Sequence, residues 1–408
     1  MSIILSAPDT EIKTFRSLPA SKSLSNRALI IRALCEERFK IRNLSESDDT
    51  KALKLAFNNL SSGIIDIGAA GTAMRFLTAL FSQMPGERIL TGSERMKQRP
   101  IGELVNILRE LGAQIEYTEN EGFPPLKIIG NNLKAKPIRI KGNISSQYIS
   151  ALLMVAPFLE GEFILSIKDK ILSKDYIWMT IKLMQEFGVE CKWIGNNIKV
   201  KKGSYTPKEI IIEADWSSAS YWFEIVSLSE NAMIELTGLK KNSFQGDSVL
   251  TELFKKIGVD SAFTNFGLRI KNIPTTCTFF EYDFTNCPDL TQTLAVTLIA
   301  KKIPFKLTGL DNLSIKETDR IKALVTEFEK LGIHIQTEDN YSISWAGNEE
   351  IKASYNQSIE TYEDHRMALA FAPLCIVTKQ LKIENPDVVS KSYPNYWENL
   401  KEAGFTIQ

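Results

Sequence analysis

Apolar residues follow two helical patterns along the chain. One is a nearly continuous apolar stretch that begins at small or charged residues, and the other is amphipathic and ends at or near a glycine. Short segments that alternate apolar and polar residues, as half-buried strands do, follow the apolar stretches. These patterns predict an α/β fold in which buried helices, strands and outer helices alternate.

The nearly continuous apolar pattern occurs six times. From Gly71 onward its starting points are 74, 72, 72 and 76 residues apart, which indicates an internal repeat. The predicted buried helices are SKSLSNRALIIRALC from Ser21, GTAMRFLTALF from Gly71, SSQYISALLMVAPF from Ser145, SSASYWFEIVSL from Ser217, DLTQTLAVTLIA from Asp289 and HRMALAFAPLCIV from His365.

Strands and amphipathic helices complete the repeat. The predicted strands are FKIRNL, RILTGS, FILSIK, MIELTGL, FKLTGL and LKIENP. The predicted amphipathic helices are IGELVNILRELGA, YIWMTIKLMQEFGV, SVLTELFKKIGV, RIKALVTEFEKLGI and YWENLKEAG. Each ends at or near Gly, where a left-handed C-cap is expected. Only 22 residues separate Asp49 from Gly71, so we expect the first repeat to lack its trailing strands.

The repeat length favours one of two architectures. Repeats of more than 70 residues exceed the 20 to 50 residues usual in solenoids. We therefore expect three repeats to pack together in each of two domains, and a linear solenoid of six repeats is the alternative. A chain of 408 residues fits two domains of about 200 residues each, with a cleft between them.

Composition narrows the functional class. Lys plus Arg and Asp plus Glu both total 49, so no overall charge favours nucleic acid or an anionic membrane. The five cysteines form no C-x-x-C, and two histidines argue against a metallohydrolase. No apolar stretch reaches the roughly 20 residues that span a bilayer, and we expect no export signal. We expect a cytoplasmic protein without nucleic-acid or membrane partners.

Basic and hydroxyl side chains recur at equivalent helix starts and loops of different repeats. Helix starts favour anions, and arginine adds bidentate grips on carboxylate or phosphate. Taken singly, such serines are more often N-caps and such cations are more often solvated, so the argument depends on the recurrence. We expect the set to converge on small, multiply anionic substrates; its members are Lys22, Ser23, Arg27, Arg99, Ser145, Ser146, Gln147, Ser173, Lys316, Arg320, Arg366 and Lys391.

Three acids lie in this basic background, namely Asp289, Glu317 and Asp364. Nearby cations keep a carboxylate ionised, which lets it act as a base, whereas burial has the opposite effect. The residues alone leave two alternatives open. Asp289 could be an N-cap, and Glu317 could be a capping residue or an ion-pair partner of Arg320.

Segments in almost every repeat resemble the 5-enolpyruvylshikimate-3-phosphate synthase family, which is also called 3-phosphoshikimate 1-carboxyvinyltransferase. In chain order they are SKSLSNRAL, GTAMRFLTA, RMKQRPIGELV, SSQYISALLM, ADWSSASYW, NSFQGD, IKETDRI, YEDHRMALAF and KSYPNYW. The resemblance covers almost the whole chain. It implies transfer of the enolpyruvyl group of phosphoenolpyruvate to the 5-hydroxyl of shikimate 3-phosphate, with release of phosphate by addition and elimination, and without a metal or organic cofactor.

The family fold implied by the resemblance has two similar domains, each made of three β-α-β-α-β-β repeats around buried parallel helices, an inside-out α/β barrel. The chain would cross between the domains near Leu18 and near Asp215. One lobe would hold residues 1–18 and 215–408, and the other would hold residues 19–214 with the shortened repeat. We expect a monomer that closes around its substrates.

The resemblance also assigns residues to roles. Asp289 would take the proton of the attacking hydroxyl, and Glu317, alone or with Lys22, would manage the proton at C3. The ligands of shikimate 3-phosphate would be Lys22, Ser23, Arg27, Ser145, Ser146, Gln147, Ser173, Asp289, Asn312 and Lys316. The ligands of phosphoenolpyruvate would be Lys22, Gly71, Arg99, Gln147, Arg320, Arg366 and Lys391.

Two rivals remain after the resemblance is taken into account. A sister enzyme moves the same group to UDP-N-acetylglucosamine, but it typically has a loop Cys as acid before an Arg-Pro pair, and Ser93 to Pro100 contains none. A non-catalytic anion-binding protein on the same scaffold would gain nothing from buried carboxylates. One departure from the family pattern is Ala69, where Asn is common, which removes a side-chain amide near the bound phosphate.

Overall fold

The computed structural model describes residues 1–60, 63–339, 341–352 and 357–408. Its strands are short, with two to six residues each. They are β1 (Ser2–Ser6), β2 (Ile12–Ser17), β3 (Ile41–Arg42), β4 (Ile64–Asp66), β5 (Gly86–Thr91), β6 (Gln114–Tyr117), β7 (Leu126–Gly130), β8 (Ile138–Lys141), β9 (Phe163–Lys168), β10 (Cys191–Ile194), β11 (Asn197–Val200), β12 (Ile210–Ile211), β13 (Ala232–Thr237), β14 (Val259–Phe263), β15 (Leu268–Asn272), β16 (Phe280–Asp283), β17 (Phe305–Thr308), β18 (Gln336–Glu338), β19 (Ser342–Trp345), β20 (Ser358–Ile359), β21 (Gln380–Glu384) and β22 (Thr406–Ile407).

Helices alternate with these strands along the chain. They are α1 (Lys22–Leu34), α2 (Asp48–Asn58), α3 (Gly71–Phe81), α4 (Glu94–Lys97), α5 (Gly102–Glu110), α6 (Ser146–Val155), α7 (Lys174–Glu186), α8 (Trp216–Leu228), α9 (Leu250–Lys256), α10 (Thr291–Ala300), α11 (Arg320–Lys330), α12 (His365–Phe371), α13 (Cys375–Thr378) and α14 (Tyr396–Glu402). Short 3-10 helices include Gly246–Val249, Pro288–Leu290, Leu313–Ile315 and Pro386–Lys391. No helix among the described residues is both long and apolar enough to cross a bilayer.

The chain divides into two compact units. Unit 1 comprises Met1–Ala20 and Glu213–Gln408, and unit 2 comprises Ser21–Ile212. A linear solenoid, in which each repeat contacts only its neighbours, is excluded because β1 at the start of the chain pairs with β21 of the last repeat.

Five four-stranded sheets share one strand order. In each sheet the strand before a buried helix lies parallel to the strand after it, as the β-α-β connection requires. The last strand of the repeat lies antiparallel beside the second, and the third strand forms the edge. The orders are β4-β5-β7-β6, β8-β9-β11-β10, β2-β13-β15-β14, β16-β17-β19-β18 and β20-β21-β1-β22. The predicted repeat is therefore confirmed in the strand pairing.

The amino-terminal segment contributes to two repeats of unit 1. Strand β1 pairs antiparallel with β21 and completes the sheet of the last repeat, whereas β2 pairs parallel with β13 and begins the sheet that contains β14. The chain leaves and re-enters this unit side by side, because Ala20 and Ala214 form an antiparallel bridge and the N–H of Asp215 donates to Pro19 O over 2.8 Å.

The first repeat in unit 2 is abbreviated, as the sequence predicts. Only β3 remains of the expected strand FKIRNL, and its partner is the two-residue strand β12. The chain then runs from β3 through α2 directly to β4, which belongs to the next repeat. The reason is the short segment between Asp49 and Gly71, which has no room for a hairpin.

The predicted apolar helices form the core of each unit. Every residue of α3 and α12 is buried, and so are nearly all residues of α8 and α10. The predicted left-handed C-caps are also confirmed, since the glycine after each of α5, α7, α9, α11 and α14 has positive φ. These caps stop the outer helices and turn the chain into the third strand of each repeat.

Candidate active site

The site in unit 1 is built around the guanidinium of Arg320, the first residue of α11, which is 1% exposed. Its Nη1 donates to Asp289 over 2.9 Å, its Nη2 to Glu317 over 2.9 Å and its Nε to Asp364 over 2.7 Å. The planar fork of arginine can serve several carboxylates at once, which a lysine cannot do with the same geometry. One cation therefore holds three acids that come from separate loops.

A second arginine holds the other oxygen of Asp289. Arg366 Nη2 lies 2.8 Å from Asp289 Oδ2, and Arg366 Nη1 lies 3.3 Å from the hydroxyl oxygen of Tyr221. Arg366 stands in the first turn of α12, whose N-cap Asp364 accepts from the backbone N–H of Arg366. Asp289 thus has a guanidinium on each oxygen, and these cations stabilise its negative charge.

The same charges change the acidity of neighbouring cations. Burial lowers the pKa of Arg320, but Asp364, Glu317 and Asp289 together outweigh burial, so the net change is upward. Partial burial lowers the pKa of Lys316, and Asp289 opposes that change without cancelling it. Arg320 is therefore a permanent charge, whereas Lys316 releases a proton more readily than an exposed lysine does.

Two more predicted residues lie close to this cluster along the chain. Lys391 ends the 3-10 helix Pro386–Lys391, and its Nζ donates over 2.7 Å to the carbonyl oxygen of Glu363, the residue before Asp364. Asn312 precedes the 3-10 helix Leu313–Ile315, which packs on α11 and leads into Lys316. Loops of two repeats of unit 1 therefore supply these residues.

A fourth acid, Asp247, belongs to the same region and was missed in the sequence. It is 5% exposed, and it accepts a short hydrogen bond from the hydroxyl of Ser217 at the start of α8. Its segment NSFQGD was recognised only as part of the resemblance. The sequence did contain one signal. Asp247 starts a helical turn and has no basic residue beside it, so it is a poor candidate for an ion pair at the surface.

Arg27 has a different environment in unit 2. It is 2% exposed and donates to the hydroxyls of Thr180 and Ser150 and to the carbonyls of Ser23 and Tyr176, over 2.7 to 3.2 Å. Burial lowers the pKa of Arg27 to about 10, and the charge of Tyr176 opposes that change. Most of its five N–H donors are therefore already used to join α1, α6 and α7.

Gly71 begins α3 against two guanidinium groups. A Cβ at this position would lie 2.6 Å from Nη1 of Arg99 and 3.0 Å from Nη1 of Arg75. Arg75 is 5% exposed, and its Nη1 also donates to Gly71 O over 3.0 Å. Arg75 was not among the predicted residues, although its place in GTAMRF, one turn after Gly71, could have indicated it.

Residues at the start of α6 meet the start of α3. Ser145 is the N-cap of α6 and accepts from the backbone N–H of Gln147, while Gln147 Nε2 donates to the hydroxyl of Thr72 over 3.2 Å. The hydroxyl of Tyr148 donates to the carbonyl of Pro100 over 2.5 Å, which fixes the residue after Arg99. Gly71, Arg99 and Gln147 are therefore neighbours in unit 2, as the sequence suggests.

The remaining predicted residues of unit 2 also lie at helix starts. Lys22 and Ser23 follow Ser21, the N-cap of α1, which accepts from Leu24 N over 3.4 Å. Ser146 is the first residue of α6. Ser173 is the N-cap of α7; it is 3% exposed, and its φ of 53° lies in the left-handed region. A serine in that conformation is uncommon and often marks a functional position.

The structure decides the alternatives that the sequence left open. Asp289 is not an N-cap, because it lies inside the 3-10 helix Pro288–Leu290 and its two oxygens face arginines. Glu317 does pair with Arg320, at 2.9 Å, and the N-cap of α11 is Asp319. Among the described residues there is no group of three His, Cys, Asp or Glu side chains that could hold a metal ion.

These features together define an α/β protein of repeated sheets whose loops join carboxylates with several cations. The chain belongs to the EPSP synthase family (3-phosphoshikimate 1-carboxyvinyltransferase), whose sequence model matches residues 9–64 and 60–400. The family resemblance and the transferase class are therefore confirmed.

Individual relatives agree with this assignment. The chain is 50% identical over 409 residues to a 3-phosphoshikimate 1-carboxyvinyltransferase of Bacteroides fragilis, which covers 100% of this chain and 99% of the relative. It is 36% identical to the protein of the same name from Vibrio atlanticus, over 94% of this chain and 95% of the relative. A solved structure of EPSP synthase from Acinetobacter baumannii superimposes with a TM-score of 0.81 at 22% identity, over 100% of both chains. That structure confirms the predicted fold class.

Proposed function

We propose that this chain transfers the enolpyruvyl group of phosphoenolpyruvate to the 5-hydroxyl of shikimate 3-phosphate and releases inorganic phosphate. Membership of the EPSP synthase family and full-length relatives named for this activity support the reaction. The observation that carries the proposed mechanism is the carboxylate of Asp289, held between Arg320 and Arg366.

Asp289 acts as the base in this proposal. C3 of phosphoenolpyruvate gains a proton, the 5-hydroxyl oxygen bonds to C2, and the proton of that hydroxyl passes to Asp289. The tetrahedral adduct then loses a proton from C3 and expels phosphate, which restores the double bond. An ionised carboxylate with fixed geometry is suited to accept the proton of the hydroxyl, because both arginines hold it in place without protonating it.

Glu317 manages the proton at C3, alone or with Lys22. Arg320 donates a hydrogen bond to Glu317, and the Glu317 side chain is 26% exposed, the most exposed of the three acids on Arg320. Asp364 is 0% exposed, so its role is to fix Arg320 and to cap α12. Glu317 is therefore exposed enough to contact substrate, whereas the buried Asp364 positions other residues.

Cations and helix starts hold the two anions. The assigned ligands of phosphoenolpyruvate are Lys22, Gly71, Arg99, Gln147, Arg320, Arg366 and Lys391. The assigned ligands of shikimate 3-phosphate are Lys22, Ser23, Arg27, Ser145, Ser146, Gln147, Ser173, Asp289, Asn312 and Lys316. Backbone N–H groups at the starts of α1, α3 and α6 support this anion binding.

Four further expectations stay proposals. The lobes are residues 1–18 with 215–408 and residues 19–214, a division that the two compact units support. The chain acts as a monomer, and it works in the cytoplasm without a cofactor.

The acceptor is tested by phosphate release from the purified full-length chain. Phosphoenolpyruvate is supplied with shikimate 3-phosphate in one reaction and with UDP-N-acetylglucosamine in a second. We expect phosphate in the first reaction only, together with enolpyruvyl product in equal amount. Phosphate release with the sugar nucleotide but not with shikimate 3-phosphate would overturn the proposal. So would the absence of phosphate release in both reactions.

A further inference from the structure

Asp247 is a buried acid beside the proposed base, and the mechanism above does not use it. It lies in the 3-10 helix Gly246–Val249, and Ser217 from the first turn of α8 donates a hydrogen bond to its Oδ2. The 3-10 helices that carry Asp247 and Asp289 both pack against α8. Ser217 and Tyr221 lie one turn apart on α8; the first donates to Asp247, and the second contacts Arg366, which pairs with Asp289.

The charged groups around Asp247 come from several elements. Asp289 repels its negative charge, Arg366 from α12 attracts it, and Asp215 before α8 repels it more weakly. Burial, followed by the charge of Asp289, raises the pKa of Asp247 to about 7, while Ser217 and Arg366 oppose that change. Asp289 differs because it has an arginine on each oxygen.

A structural role alone does not account for this arrangement. If the only role of Asp247 were to join two segments, an uncharged amide or hydroxyl group at this position would do so equally well. Here the two acids differ in the cations around them, an arrangement that separates a group that holds a proton from one that stays ionised.

We propose that Asp247 is a positioning residue that acts through Asp289: the charge of Asp247 sets the strength of Asp289 as a base. When Asp247 is ionised, its field favours transfer of the hydroxyl proton to Asp289. When Asp247 holds a proton, Asp289 is a weaker base. The inference rests on the proposed function, because that function assigns the base.

The test is the pH dependence of kcat from about pH 5.5 to 9 for the wild type, Asp247→Asn and a matched control, Asp260→Asn. Asp260 lies in β14 of the same unit, in a half-exposed ion pair with Lys271. At low pH Asp247 is uncharged like Asn, so we expect equal rates within about twofold. Above pH 8 we expect Asp247→Asn to be slower by about threefold to tenfold, since the field of Asp247 is lost. The control should follow the wild type throughout.

A second variant keeps the test valid if Asp247→Asn does not fold. Ser217→Ala removes a donor that favours the charged form, so the inflection in kcat should move up by about one pH unit. A wild-type to Asp247→Asn ratio that does not vary with pH, or an unmoved inflection in Ser217→Ala, would overturn the inference while the proposed function stands. Absence of turnover in the wild type would overturn both.

Discussion

Arg320 Nη1 lies 2.9 Å from Asp289 Oδ1, and the guanidinium that makes this contact is almost fully buried. A charge pair shielded from water is screened little by salt and holds its geometry. Because Asp364 and Glu317 share the same guanidinium, Arg320 cannot turn away from Asp289 without breaking its ion pairs with these two acids. The proposed base is therefore fixed in position before substrate arrives, which reduces the entropy cost of reaction.

The first prediction concerns the two acids that exchange protons with substrate. We expect Asp289→Asn and Glu317→Gln each to lower kcat by at least about 100-fold, the usual scale of lost acid or base catalysis. Binding of shikimate 3-phosphate, measured by calorimetry, should change little. Asp260→Asn again serves as the control. Unchanged kcat in either variant would remove that residue from the mechanism.

Arg366 provides a test of how the substrates are divided among the cations. We expect Arg366→Ala to raise the KM for phosphoenolpyruvate about tenfold or more, since a charge-assisted hydrogen bond is lost, and to change the KM for shikimate 3-phosphate far less. Steady-state kinetics with each substrate varied in turn measures both. Arg42→Ala, which removes a half-exposed ion pair with Glu209, should affect neither. Equal increases for both substrates would contradict the assignment of Arg366.

The helices that the sequence predicts best are those with two independent signals. For α3, the apolar run and the polar loop on each side gave the bounds Gly71–Phe81 that the structure has. Each outer helix combined an amphipathic pattern with a terminal Gly, and the positive φ of those glycines confirms the prediction. By contrast, FKIRNL alternates as a strand should, yet only two of its residues pair, because strand length depends on partners that are distant in sequence.

The site residues that could be predicted are those whose charge marks them in the sequence. The residues that were missed are those whose importance depends on burial. Basic residues at helix starts could be listed from the chain alone. The importance of Asp247 depends on Ser217, 30 residues away, and that of Arg75 depends on its contact with Gly71. The pairing of Asp247 with Ser217 cannot be read from local sequence, because it follows from tertiary packing, whereas Arg75 lies only one helical turn after Gly71. The catalytic roles of Asp289 and Glu317 stay predictions that the variants above test.

Gly71 is predicted to act through the side chain of Arg99. In Gly71→Ala the new methyl group would lie 2.6 Å from Arg99 Nη1, so the guanidinium must move. Since the displaced atoms end a flexible side chain, we expect stability to change by less than about 1 kcal/mol while the KM for phosphoenolpyruvate rises about tenfold. Gly203→Ala is the matched control, because its Cβ would meet nothing within 4 Å. A stable variant with unchanged KM would show that Arg99 does not bind this substrate.

The last prediction concerns Glu224, a fully buried acid in the middle of α8. Burial raises the pKa of Glu224 well above its ordinary value, and the hydroxyl of Thr297 only partly opposes that change. The folded chain therefore keeps a proton that the unfolded chain releases above about pH 4.3, so this residue costs increasing stability as pH rises toward its folded pKa.

Glu224→Gln does not titrate. We expect the free energy of unfolding of Glu224→Gln, relative to that of the wild type, to increase by up to about 1.4 kcal/mol per pH unit over that window. Chemical denaturation from pH 5 to 9 measures this difference. Glu230→Gln, an exposed substitution just beyond the same helix, should show a difference from the wild type that does not vary with pH. A difference for Glu224→Gln that is equally flat would mean that Glu224 is ionised in the folded chain.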